Sequence, residues 1–166
     1  AMGRVPRHLL VPEKSRDRAY EDEDAPIGAG QVLCRPYVVA LMTQVAQLRP
    51  SDRVLEVGTG SGYHAALLTE IAAEVYTIEI RPKLGKAAQQ RLKQLGYTHV
   101  KVKVGDGFLG WREHAPYDVI VVTCAPESPP PPLVAQLAEG GRMVVPVGRG
   151  QTQTLTVLRK HLARAF

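Results

Sequence analysis

Apolar positions change their period several times along the chain. Val38, Leu41, Met42, Val45 and Leu48 recur at helical spacing, which predicts a helix over 36–48. Pro36 suits its first position, and Arg49-Pro50-Ser51-Asp52 stops it. RVLEVG (53–58) then reads as a strand, 62–71 as a helix and EVYTIEI (74–80) as a strand. A helix over 82–95 follows, opened by Pro82 and closed by Gly96. HVKVKVGD (99–106) and YDVIVVTC (117–124) read as strands. The second is mostly apolar, as a strand covered on both faces should be. A short helix includes 133–137. GRMVVPVG (141–148) and QTLTVLRK (153–160) read as two more strands, the last antiparallel and at an edge. This alternation predicts an α/β fold with a doubly wound, mostly parallel sheet. Residues 1–35 differ: they show no clear period, three prolines and the acidic run Glu21-Asp22-Glu23-Asp24. A lead of that kind is functional or a linker. The expectation is an irregular segment 1–35, packed on or near an active site formed by 36–166, in one globular domain.

Composition narrows the class. The chain has 166 residues, 45% of them hydrophobic and 22% charged, enough for one soluble domain with a single core. No apolar run approaches the roughly 18 residues of a membrane span, and the N-terminus lacks the apolar core of a signal peptide. Two cysteines cannot make a disulfide framework, and no Cys/His spacing marks a metal site. A reducing, cytoplasmic location is expected. The net charge of +5 comes from scattered Lys and Arg, with denser stretches only at 81–103 and 159–164. Acidic ligands fit that charge better than nucleic acid, which is not expected as a partner.

The chemistry-bearing motif is GTGSG (58–62), which leaves a strand and enters a helix. Glycines let the backbone turn sharply and approach a ligand closely. Glu79 ends the next strand, 21 residues after Gly58, where an acid accepts hydrogen bonds from ribose hydroxyls. Asp106, in GDGFLG (105–110), ends the third strand and can reach an adenine amino group, or serve an Asx turn. These loops share the carboxyl ends of adjacent strands, so an adenosine-containing ligand is expected. Tyr63 stands where GxGxxG has its last glycine, and no Gly-Lys-Ser/Thr follows. A ligand with adenosine but no phosphates fits best, and S-adenosylmethionine is the common one. Glu56, before the glycines, is costly in an apolar strand unless paired, and can face a cationic part of that ligand.

VPRHLLVP (5–12), AYEDEDAPIGAGQ (19–31), RPYVVALM (35–42), VLEVGTGSGYHAALL (54–68), GDGFLGWREHAPYDVIVVT (105–123) and GGRMVVPVG (140–148) resemble the protein-L-isoaspartate O-methyltransferase family. The resemblance covers about residues 5–160. It implies a Rossmann-like methyltransferase fold of seven strands, S-adenosylmethionine as cofactor with S-adenosylhomocysteine as product, and methyl transfer to the free carboxylate of isoaspartyl residues. Such transfer begins the repair of damaged proteins in the cytoplasm. The partners would be isoaspartyl-containing proteins or peptides, and the enzyme a monomer or weak homo-oligomer. By the same resemblance Glu56, Gly58, Thr59, Gly60, Ser61 and Gly62 line the methionine side of the cofactor. Glu79 holds the ribose, Ile80 also contacts the cofactor, and Asp106 and Gly107 approach the adenine. Gln31, Val32 and Leu33 line the acceptor site beside Cys34. A carboxylate with a pKa of about 4 is already ionised at neutral pH, so no general base is required. His8, His64, His99, His114 and His161 read as surface or packing residues.

Two departures stand out. The family reads close to GQTISQP where this chain has GQVLCRP, so Val32 and Cys34 replace two hydroxyl residues, and Cys34 takes the catalytic position. The sheet is also expected to be shortened at both ends relative to the family. The departures leave two alternatives open: a methyltransferase of this fold acting on another carboxylate or small acceptor, and a non-catalytic relative that binds S-adenosylmethionine. The helix opening at Pro36 is expected to aim N–H groups at the Cys34 lip, favouring thiolate over thiol. Cys124 reads as a small buried residue at a strand end, with the crevice lining as the alternative.

Overall fold

The structure, a computed structural model, describes residues 1–150 and 152–161. Its elements in chain order are β1 (Ala25–Gly28), β2 (Gln31–Leu33), α1 (Pro36–Ala46), β3 (Arg53–Val57), α2 (Tyr63–Thr69) and β4 (Glu74–Glu79). There follow α3 (Pro82–Gln94), β5 (Lys101–Val104), β6 (Tyr117–Val122), α4 (Pro131–Ala135), β7 (Leu137–Arg149) and β8 (Thr152–Arg159). Six strands form one sheet in the order β5-β4-β3-β6-β7-β8. Five are parallel, and β8 runs antiparallel to β7 at the edge. The resemblance implies a seventh strand; among the described residues this sheet has six. The C-terminal part of the basic stretch 159–164 lies outside the described residues.

Successive residues of the central strands face opposite sides, which is why their sequences are nearly all apolar. Val54, Val75, Val119, Val121 and Val144 pack on one face against Met42 and Ala46 of α1 and Leu68 of α2. Leu55, Val57, Ile78, Ile120, Val122, Met143 and Val145 pack on the other, against Leu133 of α4 and Leu137. Each such side chain contributes about 1.5–3 kcal/mol on burial.

The N-terminal lead has no periodic signal, yet it is well anchored. Val5, Leu10, Val11, Ala19, Ile27 and Leu33 share a third cluster with Tyr63 and Leu67 of α2 and Leu84 and Leu92 of α3. Residues 25–33 form a small antiparallel hairpin, β1 with β2. Arg7 is buried, with its guanidinium over the Tyr63 ring. Its Nε donates to the Ala19 carbonyl at 2.6 Å and its Nη2 to the Cys34 carbonyl at 2.8 Å.

The acidic run has a structural job. Asp24 Oδ1 accepts from the Arg35 N–H and Asp22 Oδ1 from the Tyr37 N–H, each at 2.9 Å. The Val38 and Val39 N–H groups donate to the Arg35 carbonyl, and Pro36 has none. The first turn of α1 therefore keeps no free donor, which corrects the expectation that it is aimed at an anion. At the other end Gln47 adopts a left-handed conformation, so α1 stops two residues before Leu48. Buried Arg142 fixes that end: it donates to the carbonyls of Ala46 and Gln47 and pairs with Asp52 at 2.7 Å.

Candidate cofactor and acceptor site

The chain runs from β3 to β4 to β5 on one side of β3, then crosses to β6 on the other. Loops therefore diverge above the carboxyl ends of β3 and β6, and a crevice opens there. Its cavity measures about 280 Å³. It is lined by Gln31, Val32, Leu33, Cys34, Glu56, Gly58, Thr59, Gly60, Ser61, Glu79, Ile80, Asp106 and Gly107, thirteen of the fourteen residues expected from sequence. Gly62 stands apart. It opens α2, and a Cβ there would meet Leu92 and Ala88 of α3.

The glycine turn is fixed by β4. The Gly58 and Thr59 N–H groups donate to the Ile78 carbonyl at 2.8 and 3.2 Å. Gly58 sits at φ +100°, and a Cβ on it would collide with the Thr123 hydroxyl. That hydroxyl bonds the Val57 and Gly58 carbonyls, which ties β6 to the turn. Glu79 is only 5% exposed, so it is no solvated strand-end charge. Its two carboxylate oxygens accept from the Gly60 N–H at 2.8 Å and the Arg81 N–H at 2.9 Å. Asp106 makes the Asx turn, accepting from the Phe108 N–H at 2.9 Å, and still lines the crevice.

Glu56 lies at the floor, fully buried. Its Oε2 accepts from the Thr77 hydroxyl at 2.6 Å, and the Thr77 and Thr59 hydroxyls are also 2.6 Å apart. Its Oε1 has no hydrogen-bond partner among the described residues. Burial pushes the Glu56 carboxyl up to about 8; the Thr77 bond opposes this and the Glu79 charge adds to it. His64 Nδ1 lies 3.8 Å from that free oxygen. Burial pushes the His64 imidazole down to about 4, so at neutral pH the two are not an ion pair.

The crevice lining also includes the apolar residues Ile27, Val32, Pro126 and Pro130 along with Cys34, and Val32 is half exposed. Cys34 does not favour thiolate. Burial raises its pKa most, and Asp24 raises it further against the smaller pull of Arg7 and Arg35. Burial and the Asp24 carboxylate are the physical reason, and the capped end of α1 keeps no free N–H to oppose them. Cys124 is exposed and lines the crevice, so the buried-residue reading is corrected. Strand β6 hands over at Thr123, whose bonds to β3 leave Cys124 on the loop beyond. His64 and Phe108 also line the crevice, where the sequence pattern does not place them. His64 carries a faint signal, its place in the first turn after the glycine loop; Phe108 directly follows the expected Asp106-Gly107.

The sheet order and the crevice above it define a Rossmann-like methyltransferase fold. A family model of protein-L-isoaspartate(D-aspartate) O-methyltransferases matches residues 1–165, and the chain belongs to that family. Protein-L-isoaspartate O-methyltransferase 1 of Cupriavidus necator is 56% identical over 160 residues, 96% of this chain. A solved protein-L-isoaspartate O-methyltransferase superposes with a TM-score of 0.83 at 29% identity, over 95% of this chain. The chain spans 62% of the length of the first and 53% of the second. A candidate protein-L-isoaspartate O-methyltransferase of Plasmodium falciparum, in complex with S-adenosyl-L-homocysteine, shares the fold. Its TM-score is 0.78 at 22% identity, over 99% of this chain and 85% of its own.

Proposed function

We propose that this chain binds S-adenosylmethionine and transfers its methyl group to the free carboxylate of L-isoaspartyl residues in damaged proteins or peptides. The observation that carries the reading is the crevice itself, in a chain of this family: a glycine-rich turn at Gly58, Glu79 hydrogen-bonded to its Gly60 N–H, and a buried Glu56 oxygen lacking a partner among the described residues. These features fit the cofactor. Glu79 and Ile80 would hold the ribose side, Asp106 and Gly107 the adenine, and Glu56 with Gly58, Thr59, Gly60 and Ser61 the methionine side. Bound S-adenosylmethionine supplies an activated methyl group on a cationic sulfur.

The chain's own work is positional. The acceptor carboxylate is ionised at neutral pH and needs no base. The apolar lip of Ile27, Val32 and Pro130 strips water from it, and Cys34 with Gln31 and Leu33 orients it. The partners are isoaspartyl proteins, with no nucleic acid required. The proposed compartment is the cytoplasm, supported by two free cysteines at the crevice. No helix among the described residues is long and apolar enough to cross a membrane. The proposed state is a monomer or weak homo-oligomer.

Labelled S-adenosylmethionine, offered with an isoaspartyl peptide and its aspartyl twin, tests the reading. Base-labile label in the isoaspartyl peptide alone is the expected result. One observation favours a second reading: the lip has Val32 and a neutral thiol, and α1 offers no free N–H. A different carboxylate or small acceptor would suit such a lip. Label in neither peptide but in another acceptor would establish it, and cofactor binding without any transfer would mark a non-catalytic relative.

A further inference from the structure

The hydrogen bonds around His64 bear on the protons of its contact with Glu56. Thr43 Oγ1 donates its one hydrogen to the Val39 carbonyl at 2.7 Å. His64 Nε2 lies 3.0 Å from the same oxygen, and with the hydroxyl hydrogen given to Val39 the imidazole is the donor there. A neutral His64 then carries its hydrogen on Nε2, and Nδ1 presents a bare lone pair. That lone pair faces Glu56 Oε1, the buried oxygen with no partner among the described residues. Two acceptors pointed at one another in a buried floor repel unless a hydrogen or a positive charge lies between them. The 3.8 Å gap exceeds a direct hydrogen bond.

We propose that Glu56 and His64 form a proton–cation exchange site, where a proton on Glu56 Oε1 faces His64 Nδ1 until a ligand's ammonium group displaces it to solvent. The inference rests on the methyltransferase reading, since both residues line the same crevice. The ligand class is an amino-acid-bearing adenosine thioether or sulfonium, whose ammonium offers N–H donors to both Oε1 and Nδ1. Burial supports the empty state, for it keeps the Glu56 carboxyl protonated and His64 neutral near pH 7. The other titratable groups around the cavity are Glu79 of β4, Asp106 after β5, Cys34 before α1 and Cys124 after β6. Glu79 raises the Glu56 carboxyl further, and no cationic side chain lines the cavity among the described residues. Ligand charge is therefore what releases the proton.

Calorimetry with S-adenosylhomocysteine at pH 7, in phosphate and in Tris, reads the exchange without turnover. The expected result is a binding enthalpy that differs between buffers by about one proton per ligand, and affinity that rises about tenfold from pH 6 to pH 7. Methylthioadenosine, which lacks the ammonium, should bind with no buffer difference. Glu56→Gln should abolish the buffer difference for S-adenosylhomocysteine. If that variant does not fold, the 13C shift of the Glu56 carboxyl in the wild-type protein serves instead. It should report a protonated group at pH 7 that ionises when S-adenosylhomocysteine is added. Tight, buffer-independent binding with no pH slope would overturn the exchange while leaving the methyltransferase reading intact. Failure of both ligands to bind would overturn the two together.

Discussion

At Cys34, burial and the Asp24 carboxylate oppose ionisation, while Arg7 and Arg35 favour it; burial is the largest effect. The thiol therefore stays neutral at physiological pH and offers a weak donor in place of a hydroxyl. Iodoacetamide should alkylate Cys34 several-fold more slowly than free cysteine at pH 7.5, as followed by mass spectrometry. A rate at or above that of free cysteine would mark a thiolate. Gly58 is constrained in a different way. Its φ of +100° excludes most side chains, and a Cβ would strike the Thr123 hydroxyl. Gly58→Ala should cost about 1–3 kcal/mol of stability and weaken S-adenosylhomocysteine at least tenfold, read by thermal melting and calorimetry. The glycine motif was legible as a turn because only glycine serves such a position. The state of Cys34 was not, since Asp24 lies on another segment.

The start of α1 depends on partners well upstream. An N-cap is usually the residue before the helix, yet Arg35 makes no side-chain cap. Asp22 and Asp24 do that work from positions 15 and 11 residues earlier, brought close by the β1–β2 hairpin. In sequence they read only as part of an acidic run in the lead. Asp24→Ala should cost about 1 kcal/mol and lower the melting temperature by about 2–4 °C. The same change removes a charge that raises the Cys34 pKa, so its alkylation should speed up. A variant that melts as the wild type and reacts no faster would show that the cap is idle. The far end of α1 is likewise set from a distance, by Arg142 of β7.

For the whole molecule, the two buried titratable groups set a pH dependence of stability. Folded Glu56 keeps its proton to about pH 8, whereas an unfolded glutamate releases it near 4.5. The folded state binds more protons between those values, so stability falls as pH rises through them. Folded His64 binds a proton only near pH 4, against 6.5 when unfolded, so its effect is a rise in stability over that lower window. The two oppose each other below pH 6.5, and above it Glu56 acts alone. The ligand-free protein should lose on the order of 1–2 kcal/mol between pH 6.5 and 8, or about 3–6 °C of melting temperature, in scanning calorimetry. Glu56→Gln should remove that slope, and an unchanged slope would show that Glu56 is already ionised. The alternation of strand and helix, the glycine turn and the acid ending β4 followed from sequence alone. Their causes are local: side-chain period, backbone freedom and the spacing of one βαβ unit. The hairpin in the lead, the capping of α1, the exposed Cys124 and the Glu56–His64 pair were decided by tertiary structure. Each depends on groups from separate segments, and only the packed sheet brings these within bonding distance and removes the water that would otherwise screen them.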